Sequence, residues 1–234
     1  MLAGLYDEAA VPVSPAVARA LGLRASLADL LAEPGGADDL LDRLADPARP
    51  VARTQLRSLW TALADVAGAA LPDRVRAIRG DDIVVADAAD TQVLDAPDLW
   101  PVVAGRPLIL APHHLAPRLA DLLDLPLVSE EVPGRVESVP ERTAVPAIVR
   151  AVLPEAPAHY YAHDRLVVDG VSVPWRYTLG QVHAAGLGGL ACGLAWAQGR
   201  WSARHLLADL LGEPSAAARL LAEADLDIDP LPGH

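Results

Sequence analysis

The stretch Pro107-Leu-Ile-Leu-Ala-Pro-His-His-Leu-Ala-Pro-Arg-Leu-Ala-Asp-Leu-Leu-Asp-Leu-Pro-Leu-Val-Ser129 decides how the middle of the chain is read. Pro107–Leu110 is a short apolar run of the kind that forms a buried strand. His114–Leu123 carries helical periodicity, and Leu125–Ser129 suits a second strand. Together they predict a βαβ-like passage. Upstream, Val75–Arg79, Ile83–Ala86 and Gln92–Leu94 are β-type runs, the first two reading as a hairpin, and Pro97–Val103 reads as a short helix. Downstream, Ala158–Ala162, Leu166–Val168, Val171–Tyr177 and Gln181–Ala184 predict a β meander. Its strongest signal is Asp169-Gly170, because a type I′ turn needs positive φ, which Gly accepts without steric cost. Residues 130–157 read as a Pro-rich, charged loop around a short helix at Ala147–Val152.

Helices flank this centre. Ser14-Pro15 supplies an N-cap and a first-turn proline for a helix over Ala16–Leu21, with Gly22 as its stop. Ser26 caps Leu27–Ala32. Asp38–Leu44 places Leu40, Leu41 and Leu44 on one face. In Arg53–Ala69, Leu56, Leu59, Trp60 and Leu63 fall at i, i+3, i+4 and i+7, the spacing of an amphipathic helix. The C-terminal third predicts helices over Leu187–Gln198, Ser202–Leu211 and Ser215–Ala222, followed by a frayed acidic tail, Asp225–His234. The expected fold class is therefore α+β: an N-terminal helical part, a central mixed sheet with a βαβ-like element, a β meander and C-terminal helices. The expected division is a helical subdomain over 1–71 and an α+β domain with a helical cap over 72–234.

Composition narrows the chemistry. The 234 residues contain no Lys, no Asn and no Phe, so all 19 basic residues are Arg. Schiff-base and Walker-type lysines are thereby excluded, as is a Cys-His-Asn set. One cysteine, Cys192, excludes an intrachain disulfide and a multi-Cys zinc site. The bias itself follows the G/C-rich codons of Ala, Arg, Gly and Pro. A net charge of −12 argues against nucleic acid and against an anionic membrane as partners. The longest apolar runs, such as Gly186–Ala197, are too short to span a bilayer. No signal peptide is apparent, and a cytoplasmic location is expected.

Several local patterns could carry chemistry. Asp87, Asp90, Asp95 and Asp98 gather carboxylates near strand ends, a pattern that could serve a divalent metal or an acid/base pair but reads first as polar turns and a helix-start charge. His113 and His114 follow a strand and open a helix, where α/β layers place ligands. His159 and His163, four apart on a strand, would lie too far from each other to share a metal and read as a surface stripe. His183 sits at a strand end. Gly186-Leu-Gly188-Gly189 resembles a phosphate loop only faintly, and close helix packing explains it as well. Cys192 reads as a buried, unreactive thiol. Trp196 reads as a core anchor, whereas Trp201, with Arg200 and Arg204, is a candidate interaction patch.

The passages Leu190-Ala-Cys-Gly-Leu-Ala-Trp-Ala-Gln-Gly-Arg-Trp201 and Arg204-His205-Leu-Leu-Ala have a distinctive phrasing. With them stand Val85-Ala-Asp-Ala-Ala-Asp90, Val93-Leu-Asp-Ala-Pro-Asp-Leu99, Gly105-Arg-Pro107, Leu122-Leu-Asp-Leu-Pro126 and Val173-Pro-Trp-Arg176. In these the chain resembles the C-terminal region of large actinobacterial proteins that carry a sacsin-type, heat-shock-chaperone-like ATP-binding domain. The resemblance implies a non-catalytic interaction module, whose ATPase domain lies upstream in the same polypeptide or in another protein. It implies no cofactor here, because a GHKL nucleotide site needs an Asn and an Asp-x-Gly-x-Gly loop, and this chain has neither. Self-association into a homo-oligomer is a further expectation. The alternative from another class is a small-molecule or metal-dependent enzyme built around His113, His114 and the Asp87–Asp98 carboxylates.

Overall fold

A computed structural model of the chain describes residues 2–6 and 26–227, the last three as backbone alone. The helix expected over Ala16–Leu21, with its Ser14-Pro15 start, and most of the expected tail lie outside the described residues. The fold is α+β and comprises two compact units, 1–133 and 134–234.

In the first unit, helices α1 (Leu27–Ala32), α2 (Gly36–Ala45) and α3 (Arg53–Leu63) precede the sheet. Ser26 caps α1 as its sequence requires, its Oγ accepting from the Asp29 N–H at 3.1 Å. The apolar faces read from the sequence are those that become buried: Leu40, Leu41 and Leu44 on α2, and Leu56, Leu59, Trp60 and Leu63 on α3. Strands β1 (Arg74–Arg79) and β2 (Asp82–Asp87) form the expected antiparallel hairpin, with Gly80 at φ +58° in its turn. The sheet order is β2-β1-β4-β3, with β3 at Gln92–Val93 and β4 at Leu108–Ile109. The helices and the sheet share one core, in which Leu40, Leu44, Leu59 and Trp60 join Val75, Ile78, Val93 and Ile109. The position 71/72 thus lies inside this unit.

The βαβ-like element differs from the expectation. The parallel neighbours are β3 and β4, paired at Val93↔Ile109 and linked through a 3-10 turn at Pro97–Leu99 and the short helix α4 (Trp100–Val103). After β4 come a 3-10 turn at His113–Leu115 and helix α5 (Ala116–Leu123), which buries Ala116, Leu119, Ala120 and Leu123. The second strand expected at Leu125–Ser129 shrinks to a single parallel bridge, Leu127 to Val93. From Val128 the chain turns into helix α6 (Val128–Glu131). Pro126 has no N–H to donate to a ladder, and the side chain of Glu130 accepts from the Leu127 N–H, favouring a helix start over a strand.

The second unit has a sheet of order β5-β6-β10-β9, made of β5 (Glu141–Ala144), β6 (His159–Ala162), β9 (Trp175–Thr178) and β10 (Gln181–Ala184). A separate hairpin joins β7 (Val167–Val168) to β8 (Val171–Ser172). Its turn is the one expected, with Asp169 at φ +45° and Gly170 at φ +78°. The meander is therefore interrupted. Pro174 ends the run that begins at Val171, and β6 pairs with β5 and, in parallel, with β10 rather than with β7, the next strand along the chain. β5 occupies a segment expected to be loop. Its residues are almost all exposed, so it has no apolar alternation to reveal it. Helices α7 (Gly186–Ala197), α8 (Arg204–Gly212) and α9 (Ala217–Asp227) follow, the last running into the segment expected to fray. Small residues let α7 lie close to the sheet. A Cβ at Gly189 would meet the Pro174 carbonyl oxygen at 1.9 Å, and one at Gly193 would meet Val182 at 2.6 Å.

Candidate functional site

The carboxylates singled out in the first unit are tied to different neighbours. Asp87 is exposed at the end of β2, 3.7 Å from the Arg74 guanidinium. Asp90 is exposed in the 3-10 turn Ala88–Asp90. Asp95 accepts hydrogen bonds from the N–H and the hydroxyl of Ser129, which fixes the start of α6. Asp98 is buried. His113 and His114 are exposed after β4, their rings edge to face with centroids 5.6 Å apart. Among the described residues no group of three or more His, Cys, Asp or Glu is placed to hold a metal ion.

The aromatic residues of the second unit come together more closely. Trp175 on β9, Trp196 on α7 and Trp201 in the following 3-10 turn form a triangle, with ring centroids 5.6 to 6.1 Å apart. Trp175 is buried, whereas Trp196 and Trp201 are half-buried. The Arg204 guanidinium lies 4.6 Å from the Trp201 ring centroid, and its Nη1 also donates to the Trp201 carbonyl at 2.9 Å. Such a cation–π pair has the ring as its apolar base and the charge toward solvent. Arg200 instead donates to the Val152 carbonyl at 2.9 Å, anchoring the loop after the 3-10 turn Ala147–Ala151. Cys192 is half-buried on α7. Burial pushes its thiol pKa up, with Arg204 opposing, so it stays protonated at neutral pH.

A cluster that the sequence reading missed lies against β6, β9 and β10. His163, expected on a surface stripe, is instead buried just past the end of β6. Its Nε2 is 3.1 Å from Nδ1 of His183 on β10, and its Nδ1 is 2.8 Å from the Ser138 hydroxyl. Ser138 Oγ in turn accepts from the Val167 N–H. Tyr161 stacks on His183 at 4.9 Å between centroids. Arg176, opposite His183 in the β9–β10 register, is also buried and donates to the carbonyls of Gly134 and Tyr177. His159, by contrast, is exposed and meets Arg142 across β5 and β6. The two residues of the expected stripe therefore part company. Each histidine was visible alone. Their meeting depends on the parallel β6–β10 pairing, which no local pattern announces.

The connectivity Ser–His–His resembles a nucleophile relay, but its electrostatics run the other way. A serine triad needs an imidazolium to form, and a carboxylate beside it stabilises that charge. Here burial, His163 and the Arg176 guanidinium together lower the His183 pKa to about 4, and burial also lowers that of His163. Both rings are held neutral at pH 7, and charging either is opposed. The arrangement suits a buried polar tie between strands rather than general-base catalysis.

Among the described residues no helix is long and apolar enough to cross a membrane. No protein-family model matches the chain, and no curated protein or solved structure shows significant similarity to it.

Proposed function

We propose that the chain is a non-catalytic interaction module of the sacsin-type, chaperone-like kind, working in the cytoplasm with an ATP-binding domain. That domain is supplied by the same polypeptide or by another protein. The observation that carries this reading is the edge formed by Trp196, Trp201 and Arg204 in the second unit, where two half-buried indoles and a stacked guanidinium are held by the buried Trp175. Trp and Arg dominate the energetics of protein interfaces, and pre-ordered aromatic groups bind with little loss of rotamer freedom. The absence of Asn from the whole chain fits a division of labour in which nucleotide chemistry resides elsewhere.

The test is a calorimetric titration of this chain with a GHKL-type ATP-binding domain encoded in frame with it or beside it. The Trp201→Ala variant is expected to bind about thirtyfold more weakly or worse, the loss of about 2 kcal/mol typical of a hot-spot tryptophan. Equal affinity of the two would remove the patch from the interface. ATP hydrolysis that stays with the purified chain through exhaustive fractionation would overturn the non-catalytic assignment.

A further inference from the structure

Helix α3 carries a second stripe beside the one that builds the core. Arg53, Leu56, Arg57 and Trp60 recur at i, i+3, i+4 and i+7, so all four lie along one side of the helix. With Thr54, and with Ile78 of β1 and Leu110 after β4, they line a slot of about 250 Å³ in the first unit. Leu56, Trp60 and Ile78 are buried, and the two arginines are exposed at its mouth. Two features of this slot lack a counterpart among the described residues. Trp60 is 1 % exposed, and its indole Nε1–H has no acceptor among the described residues. The two guanidiniums stand four residues apart on one helix, where like charges repel, and neither pairs with a carboxylate. Among the described residues Arg53 donates only to the Gly80 carbonyl, at 3.1 Å, and Arg57 makes no side-chain hydrogen bond.

We propose that this slot binds a small organic acid with a compact apolar body. The body sits against Leu56, Ile78 and Leu110. The carboxylate meets Arg57 and the remaining donors of Arg53, a charge-assisted arrangement that removes the repulsion between them. The Trp60 indole lines the slot and reports on its occupancy. Arg53 and Thr54 belong to the first turn of α3, whose partial positive charge adds to the attraction for an anion. The volume lies below the ~300–1,000 Å³ of pockets that take drug-sized ligands, which favours a fragment-sized acid over a folded partner.

The test follows the Trp60 indole N–H resonance, assigned by its loss in Trp60→Phe, while phenylacetate, hexanoate and isovalerate are titrated into the full chain. A saturable shift is expected with at least one acid. It should weaken about tenfold or more in Arg57→Gln, and similarly when phenylacetamide replaces phenylacetate. The proposal fails if no acid gives a saturable shift by about 10 mM, or if the amide or the variant responds as strongly. It fails too if phosphate alone reproduces the shift, which marks unspecific charge attraction. A response to an acidic, leucine-containing peptide without one to the free acids would assign the slot to a polypeptide and overturn the proposal.

Discussion

Each of the two units buries an arginine against backbone carbonyls, and the two burials differ in what else the guanidinium meets. In the first unit Arg76 of β1 donates to the carbonyls of Leu44, Asp46 and Arg49. It ties the end of α2 and the following loop to the sheet. Burial lowers its pKa and the nearby Asp46 raises it, and the side chain remains a cation throughout the range in which proteins fold. In the second unit Arg176 likewise satisfies carbonyls, but its other face looks onto His183 and, beyond it, His163. The same device is thus inert to pH in one unit and coupled to titration in the other. A buried guanidinium held by carbonyls is a fastener. Next to imidazoles it also becomes a barrier to protonation.

The comparison can be broken most severely through the backbone. Gly36 opens α2 against the Leu30 carbonyl oxygen, which an added Cβ would meet at 1.8 Å, and Gly189, in the first turn of α7, lies as close to the Pro174 carbonyl, at 1.9 Å. Gly36→Ala and Gly189→Ala are each expected to cost about 3 kcal/mol or more, because the obstacle is backbone and not a side chain that can turn aside. Urea unfolding measures both. A cost below about 1 kcal/mol at either site would mean that the helix can retreat from the carbonyl it faces.

Acid sharpens the contrast. The ordinary His pKa of about 6.5 applies to the unfolded chain, and that of His183 is about 4 in the folded one. The unfolded state therefore binds more protons between these values, and stability falls as pH drops from about 6.5 towards 4. The stability present at neutral pH is reduced by up to about 3 kcal/mol on reaching the lower end. His183→Gln should flatten this dependence, while Arg76→Met should lower stability by a similar amount at every pH, since it strips donors from carbonyls that do not titrate. Parallel acid curves for wild type and His183→Gln would show that the imidazole pair is not the sensitive element.

The smallest expected effect concerns the two turns of the second unit. Asp169-Gly170 and Leu179-Gly180 both have positive φ at the two central positions. Asp accepts the left-handed region through its short polar side chain, whereas Leu179 enters it at φ +51° with its side chain almost wholly exposed. Leu179→Asn is expected to stabilise the β9–β10 hairpin by about 0.5–1 kcal/mol. A lower urea midpoint for this variant would show that the exposed leucine has a role beyond the turn.

What could be read in advance follows the same division. The faces of α2 and α3, the presence of α5, the β1–β2 hairpin, the Asp169-Gly170 turn and the strand Gln181–Ala184 were legible, since each rests on a periodicity or a turn preference contained within a dozen residues. β5 was not, because Glu141-Arg-Thr-Ala144 is an exposed strand with no apolar face. The expected strand at Leu125–Ser129 was misread because its apolar residues serve one bridge and a helix start instead of a ladder. Of the candidate site residues, Trp201 and Arg204 were found together. Arg200 serves the Val152 carbonyl, and Asp95 serves Ser129. Trp60 was read only as a core residue. Its orphan N–H was illegible, because an unmet donor is defined by neighbours from β1 and β4.

Taken alone, the sequence determined the α+β class, the local turn and helix chemistry, and the exclusions that follow from a chain without Lys or Asn. Each is a property of composition or of residues close in sequence. Tertiary structure decided the parallel pairing of β6 with β10, the burial of His163 beside His183 and Arg176, and the slot beneath Arg53 and Arg57. These arise where segments tens of residues apart close on one another. The free energy that selects such a closure is shared among many small packing and hydrogen-bond terms, none of which leaves a mark on the segments before they meet.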